Sequence, residues 1–343
     1  MVNTSIWAWA GFGAFILLML AIDLGLFNRK AHSIKYREAA IWSGVWITLA
    51  LIFSGIVFNR AGHQKGLEFL TGYLIELSLS VDNLFVFLLI FSFFKVPGKY
   101  QHRVLYWGIL GALVMRITMI FLGAALIERF HWIIYIFGAF LIYTGINMLR
   151  QDETEYHPEK NPLVRFITRH LPITRAYEGS SFFTSVDGKK MGTLLLLVLI
   201  VVEVTDLVFA VDSIPAVFGV TTDRFIVYTS NVFAILGLRS LYFLLAGVVE
   251  RFHLLRIGLA IVLSFIGAKM LLVAVGVEIP IYLALGVVAL ILIASVVASL
   301  IWPKHAERDI DVEMPEDYIC PYPNVKQEET KEEESETAMQ GKS

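Results

Sequence analysis

Cysteine is nearly missing: Cys320 stands alone among 343 residues, so one chain can build neither a disulfide framework nor a thiolate metal site. Charge is scarce too. Only 17% of residues are Asp, Glu, Lys or Arg while 57% are hydrophobic, against roughly a quarter charged in soluble domains, which excludes a water-soluble globule. The charge that exists has no strong sign. A formal net charge of −2 lacks the basic face that nucleic acid demands, so no nucleic-acid partner is expected. Met1 to Trp9 contain no Lys or Arg, and the first apolar stretch ends on Asn28-Arg29-Lys30 without a small-residue cleavage site, which is not the pattern of a cleaved signal peptide. Histidine is absent from the middle of every apolar stretch: His32, His63, His102, His131, His157, His170, His253 and His305 fall in loops or at stretch ends.

What fills the chain is a series of apolar blocks, at roughly 7–27, 39–58, 67–94, 103–127, 131–149, 193–218, 225–248, 255–276 and 280–302. About twenty residues suffice for a helix to cross a hydrocarbon core ~30 Å thick. The blocks predict an all-α polytopic membrane protein with about nine transmembrane helices. If they alternate, the loops on one side hold sixteen Lys or Arg and the opposite loops hold four, Arg60, Lys65, Arg129 and Arg224. Basic residues favour the cytoplasm, so the N-terminus is expected outside and the C-terminus inside. Residues 150–192, charged and containing Pro158, Pro162 and Pro172, read as a cytoplasmic connector with room for a short amphipathic helix. From Pro303 to Ser343 twelve acidic residues face five basic ones, a composition that predicts a disordered acidic tail.

The two halves repeat. Glu128-Arg129-Phe130-His131 recurs as Glu250-Arg251-Phe252-His253, Gly145-Ile146-Asn147-Met148 aligns with Gly267-Ala268-Lys269-Met270, and Arg116 and Arg239 lie twelve and eleven residues upstream of their Glu. Ser80-Val81-Asp82-Asn83 matches Ala210-Val211-Asp212-Ser213, with Glu76 and Asp206 each six residues before the matched aspartate. The division that follows is 1–66 with two helices, 67–149 as a first three-helix repeat, 150–192 as connector, 193–276 as the second repeat, 277–302 as a last helix, and 303–343 as tail. Tandem units of three helices must run in opposite senses through the membrane, the inverted-repeat plan of many secondary transporters, whose sites lie near the midplane between repeats.

Ionisable residues inside hydrocarbon cost about 2.5–3.5 kcal/mol each, so each needs a partner or a function. The acids Asp23, Glu76, Asp82, Glu203, Asp206 and Asp212 outnumber the bases Arg116, Arg239 and Lys269 within the blocks, and the surplus calls for a cation, either protons or metal. At 100° per residue Glu76 lines up with Ser80 and Asn83, and Asp206 with Ser213 and Glu203, whereas Asp82 and Asp212 lie about 120° away. Pro215 removes the backbone bond to the Val211 carbonyl beside Asp212, which predicts an interrupted helix of the kind that offers carbonyls to a transported ion. Carboxylate, carboxamide, hydroxyl and carbonyl are hard oxygens that suit magnesium, calcium or manganese. Arg116 and Arg239 are expected as counter-ions or gate partners, with Asp23 a weaker transport candidate near a block end. The same carboxylates also have a purely structural reading, as salt bridges that hold helices together. No zinc-hydrolase or serine-nucleophile motif points to an enzyme, and no resident cofactor is expected.

The segments Ile75-Glu76-Leu77-Ser78-Leu79-Ser80-Val81-Asp82-Asn83 and Val202-Glu203-Val204-Thr205-Asp206-Leu207-Val208-Phe209-Ala210-Val211-Asp212-Ser213-Ile214-Pro215-Ala216 resemble the two signature segments of the TerC family of bacterial integral membrane proteins. Phe69 to Tyr73 and Asn231 to Arg239 extend the resemblance, which is closest to the branch of Alx-type manganese exporters. It implies Mn2+ export across the bacterial inner membrane and carries the metal onto Glu76, Asp82, Glu203, Asp206 and Asp212. Asn83 and Ser213, on the same helix stripes, complete the expected metal residues, and protons are the expected counter-ion because carboxylates can exchange metal for protons. It also implies an association with tellurite resistance and alkaline-pH response. A second class of function is a non-transporting membrane scaffold for metal loading, secretion or stress response, acting through the connector and tail.

Overall fold

The computed structural model describes residues 6–27, 36–150, 173–245 with short gaps before 189, and 254–302; the side chains of 20–27, Tyr36, Val186, Lys189, Arg239 and Leu245 are not part of that description. Nine α-helices follow one another among these residues: α1 (Ile6–Phe27), α2 (Tyr36–Ala61), α3 (His63–Phe93), α4 (Gly98–Arg129), α5 (Ile133–Arg150), α6 (Leu194–Phe218), α7 (Arg224–Leu245), α8 (Leu255–Leu272) and α9 (Ile281–Ile301). Seven of them, α2 to α6, α8 and α9, are long and apolar enough to cross a membrane, while the apolar stretches Ile6–Met19 of α1 and Arg224–Leu238 of α7 are shorter. The molecule is an all-α, multi-pass integral membrane protein. Large apolar side chains such as Leu122, Leu290, Ile293 and Leu300 point outward, as a bilayer permits and water would not.

A small antiparallel hairpin, β1 (Phe183–Val186) with β2 (Lys189–Gly192), stands just before α6, an element that the apolar pattern did not announce. Ile173, which bridges to Gly192, and Phe182, which meets Trp107 and Arg103, pack it against the α3–α4 end of the bundle. There the chain turns through Lys95, whose φ is 49°. Val96 N–H donates to Phe91 O and Lys95 N–H to Ser92 O, the paired bonds of a Schellman cap. The Tyr177 hydroxyl donates to Phe94 O at 2.7 Å, and burial pushes that hydroxyl's pKa up, so it stays a donor. Residues 151–172, the copy of the repeat motif at 250–253, and the tail from 303 lie outside the described residues.

Inside the bundle, α3 packs on α7 and α4 on α6, while α3 also meets α6, α4 meets α7 and α5 pairs with α8. The α5–α8 crossing is close because glycines form it. A Cβ on Gly267 would lie 2.5 Å from the Gly138 carbonyl oxygen, and one on Gly145 would lie 2.6 Å from that of Ala260. Small residues of this kind let transmembrane helices approach backbone to backbone. An aromatic cluster including Phe12, Phe53, Phe69 and Phe233 fastens α1 and α2 to the α3–α7 pair. Pro215 does not interrupt its helix: α6 is continuous from Leu194 to Phe218, contrary to the expected break. Proline lies one turn from the helix end, and packed transmembrane helices tolerate the lost bond.

Candidate functional site

The centre of the bundle is organised by one guanidinium. Arg116, on α4 and 2% exposed, donates through Nη1 to Glu76 Oε1 of α3. It also holds Asp206 of α6 with both Nε at 3.3 Å and Nη2 at 3.1 Å, and reaches Ser213 Oγ of α6 at 3.0 Å. Glu76 and Asp206 are 0% and 5% exposed. Two carboxylates facing one guanidinium leave the cluster formally one negative charge in surplus. Burial makes such a group costly unless its partners are well placed, and the bidentate fork on Asp206 is the strong form of this contact. The pairing is incomplete. Glu76 Oε2 and Ser80 Oγ are buried without a hydrogen-bond partner among the described residues.

The remaining sequence candidates spread around this centre. Asn83 is buried on the same α3 stripe as Glu76. Glu203 is half-buried on α6, its carboxylate seated where a Cβ on Gly111 would be, 1.9 Å from Oε1. Asp212 turns toward α5 and accepts from Thr144 Oγ1 at 3.2 Å, while Asp82 is half-buried on another face of α3. Among the described residues no three His, Cys, Asp or Glu side chains come close enough to enclose a metal ion. The physical reason is visible: Arg116 occupies the space between Glu76 and Asp206, and the two later aspartates face elsewhere. Asp23 and Arg239 lie on α1 and α7 with side chains outside the described residues. Lys269 donates from α8 to the Gly219 carbonyl at 3.2 Å, which satisfies a helix-end acceptor rather than a central carboxylate.

A small cavity begins at the cluster. Arg116 and Asp206 line it together with Phe87, Leu105, Gly108, Val202 and Leu238. These residues lie toward the C-terminal ends of α3 and α7 and the N-terminal ends of α4 and α6. At the opposite end of α3 stands a second polar network that the sequence candidates omitted. Buried Glu68 accepts from Lys65 Nζ at 2.8 Å, from Gln64 Nε2 at 3.2 Å and from the Thr221 hydroxyl. Lys65 also pairs with Asp223 at 3.2 Å, whose Oδ1 caps the start of α7 through the N–H groups of Phe225 and Ile226. Glu68 sits at the edge of an apolar block, where acids ordinarily reach water; its i,i+3 spacing from Lys65 was the available signal.

A polytopic helical bundle that buries ionisable side chains at its core belongs to the transporter-like class of membrane proteins, since such residues mark ion and substrate pathways. Comparison with known proteins makes this specific. The model for the integral membrane protein TerC family matches residues 61–307, and the chain belongs to that family. It is 54% identical over 298 residues to an uncharacterized membrane protein of Myxococcus xanthus, covering 87% of this chain and 93% of that one. It is 51% identical over 300 residues to the Escherichia coli K12 protein named "Putative membrane-bound redox modulator Alx", covering 85% and 93%. A Rickettsia bellii membrane protein is 40% identical over 301 residues, covering 88% and 99%. No solved structure matches the chain.

Proposed function

We propose that this protein exports a divalent cation, Mn2+ first among the hard cations, from the cytoplasm across the bacterial inner membrane by alternating access, with protons moving inward in exchange. The observation that carries the reading is the meeting of Glu76 and Asp206, from α3 and α6, on Arg116. These two acids hold matched positions in the proposed inverted repeats. The helix pairings support that repeat: α3 meets α7 as α6 meets α4, and the contact of Gly138 with Gly267 is mirrored by that of Gly145 with Ala260, the reciprocal pattern of an isologous two-fold contact. In this scheme the resting charge of the carboxylates is held by Arg116, and an arriving cation takes over part of the guanidinium's role. Carboxylates that bind either metal or protons provide the exchange. With the lysine- and arginine-rich loops in the cytoplasm, the cavity opens on the cytoplasmic side and the Lys65–Glu68–Asp223 network closes the outer side.

The test is flux in vesicles containing the purified protein, comparing Mn2+ with Mg2+, Ca2+ and Zn2+ under imposed pH gradients. Mn2+ movement that disappears in Glu76→Gln and Asp206→Asn is the expected result, and absence of flux for every ion refutes the exporter. The name of the E. coli relative favours a second reading, a membrane scaffold that modulates redox or stress responses. One cysteine, Cys320, gives a single chain no dithiol, so that role would run through partners or metal content. Deletion of 303–343 separates the two: a scaffold acting through the tail loses function, and an exporter keeps its flux.

A further inference from the structure

Asn231 is a polar side chain that neither the Arg116 cluster nor the Lys65–Glu68 network uses. It is 1% exposed, and neither Nδ2 nor Oδ1 has a hydrogen-bond partner among the described residues. A carboxamide offers two donor hydrogens and an acceptor oxygen, and buried polar atoms in native proteins are nearly always paired, so an unpaired one asks for a functional reason. Its position supplies one. On α7 at 100° per residue, Asn231 shares a stripe with Ile235 and Leu238, both of which line the cavity with Arg116 and Asp206. The preceding residue, Ser230, packs on Gly72, one helical turn before Glu76 on α3. Asn231 therefore lies buried about one helical turn from Glu76, on a fourth helix and on the stripe that leads to the cavity. Glu76 Oε2 and Ser80 Oγ, on α3, share its lack of a partner.

We propose that Asn231 Oδ1 is a neutral oxygen donor to the transported divalent cation, completing a coordination shell with Glu76 Oε2 and Ser80 Oγ; this inference rests on the exporter reading. Hard divalent cations need several oxygens, but a transport site must also release its ion, so binding has to remain moderate. Arg116 already offsets one of the two central carboxylates. A carboxamide at 231 adds a ligand without adding charge, which raises coordination number while leaving the cluster's single surplus negative charge unchanged.

The experiment uses the full-length protein, in vesicles for Mn2+ flux and in detergent for the Mn2+-induced shift of melting temperature. Asn231→Leu keeps the volume and removes both polar atoms. The expected result is an unchanged melting temperature without metal, a KM for Mn2+ raised about 10- to 100-fold, the scale of a lost metal-shell partner, and a smaller Mn2+-induced shift. Asn231→Asp restores KM to within a few-fold of wild type and lowers kcat, because the added charge slows release. If Asn231 were only a packing residue, the leucine variant would fold as well or better and keep its KM, which overturns the proposal. Should Asn231→Leu not fold, Asn231→Ser against Asn231→Asp carries the test, and equal KM values for the two overturn it. Wild-type protein without flux or metal-induced shift defeats the exporter reading as well. Wild-type flux with an indifferent position 231 defeats only this inference.

Discussion

Arg116 stabilises the bundle chiefly through the two acids it holds, so its removal and theirs should differ in kind. Arg116→Met leaves Glu76 and Asp206 facing each other in a buried site, and breaking a buried pair from one side costs about 3–5 kcal/mol. Replacing Glu76 by Gln keeps the shape and removes the surplus charge, so its melting temperature in detergent should fall far less than that of Arg116→Met. A Glu76→Gln protein that melts as early as Arg116→Met would mean that the acid, not its charge balance, holds the helices. At this scale the sequence was informative where residues repeat: Asp206 and Ser213, seven apart, both touch Arg116, as a shared helix face requires. It was uninformative where direction depends on a neighbour. Asp212 binds Thr144 of α5, a partner set by helix crossing that no spacing within α6 encodes. Asn231 was visible only as part of a family motif, because a carboxamide in an apolar run carries no charge imbalance to flag it.

Elements were legible because hydrocarbon allows few alternatives: an apolar run of twenty residues must satisfy its backbone internally, and a helix does so. Helix ends and close contacts were less legible. Gly267 and Gly286 look alike in sequence, yet a Cβ on Gly267 meets the Gly138 carbonyl while one on Gly286 meets nothing within 4 Å. Gly267→Ala should therefore lower stability by about 1–3 kcal/mol, the usual cost of overpacking, because backbone cannot move aside as a side chain can. Gly286→Ala, in the middle of α9, should be neutral or stabilising by up to ~1 kcal/mol through helix propensity. Thermal unfolding of both variants in one detergent decides the matter, and equal shifts would remove the α5–α8 crossing as the tight point of the fold. The hairpin 183–192 escaped prediction for a related reason: its strands are four residues each, too short for a period of two to show, and are held by docking on the α3–α4 end.

For the whole molecule, the direction of the proposed transport depends on which surface faces the cytoplasm, and the length of α3 makes this testable. Its 31 residues span about 45 Å at 1.5 Å per residue, more than the ~30 Å hydrocarbon core, so the chain before and after it emerges on opposite surfaces. His63 at its start and Lys99, five residues beyond the Phe94 cap, are both exposed. The single native cysteine makes the assay clean, since Cys320→Ser yields a background without thiols. The loop bias of basic residues predicts Lys99 inside and His63 outside. A membrane-impermeant thiol reagent applied to intact cells should label His63→Cys and spare Lys99→Cys until the membrane is permeabilised. In the otherwise native chain, Cys320 should behave like Lys99→Cys, because an odd number of crossings separates them from His63 in the nine-span arrangement. Reversal of the first two labels would turn the cavity beside Arg116 toward the outside and make the same site serve uptake. A Cys320 that labels from outside while Lys99→Cys does not would instead leave the helices α3 and α4 in place and change the number of crossings that follow them.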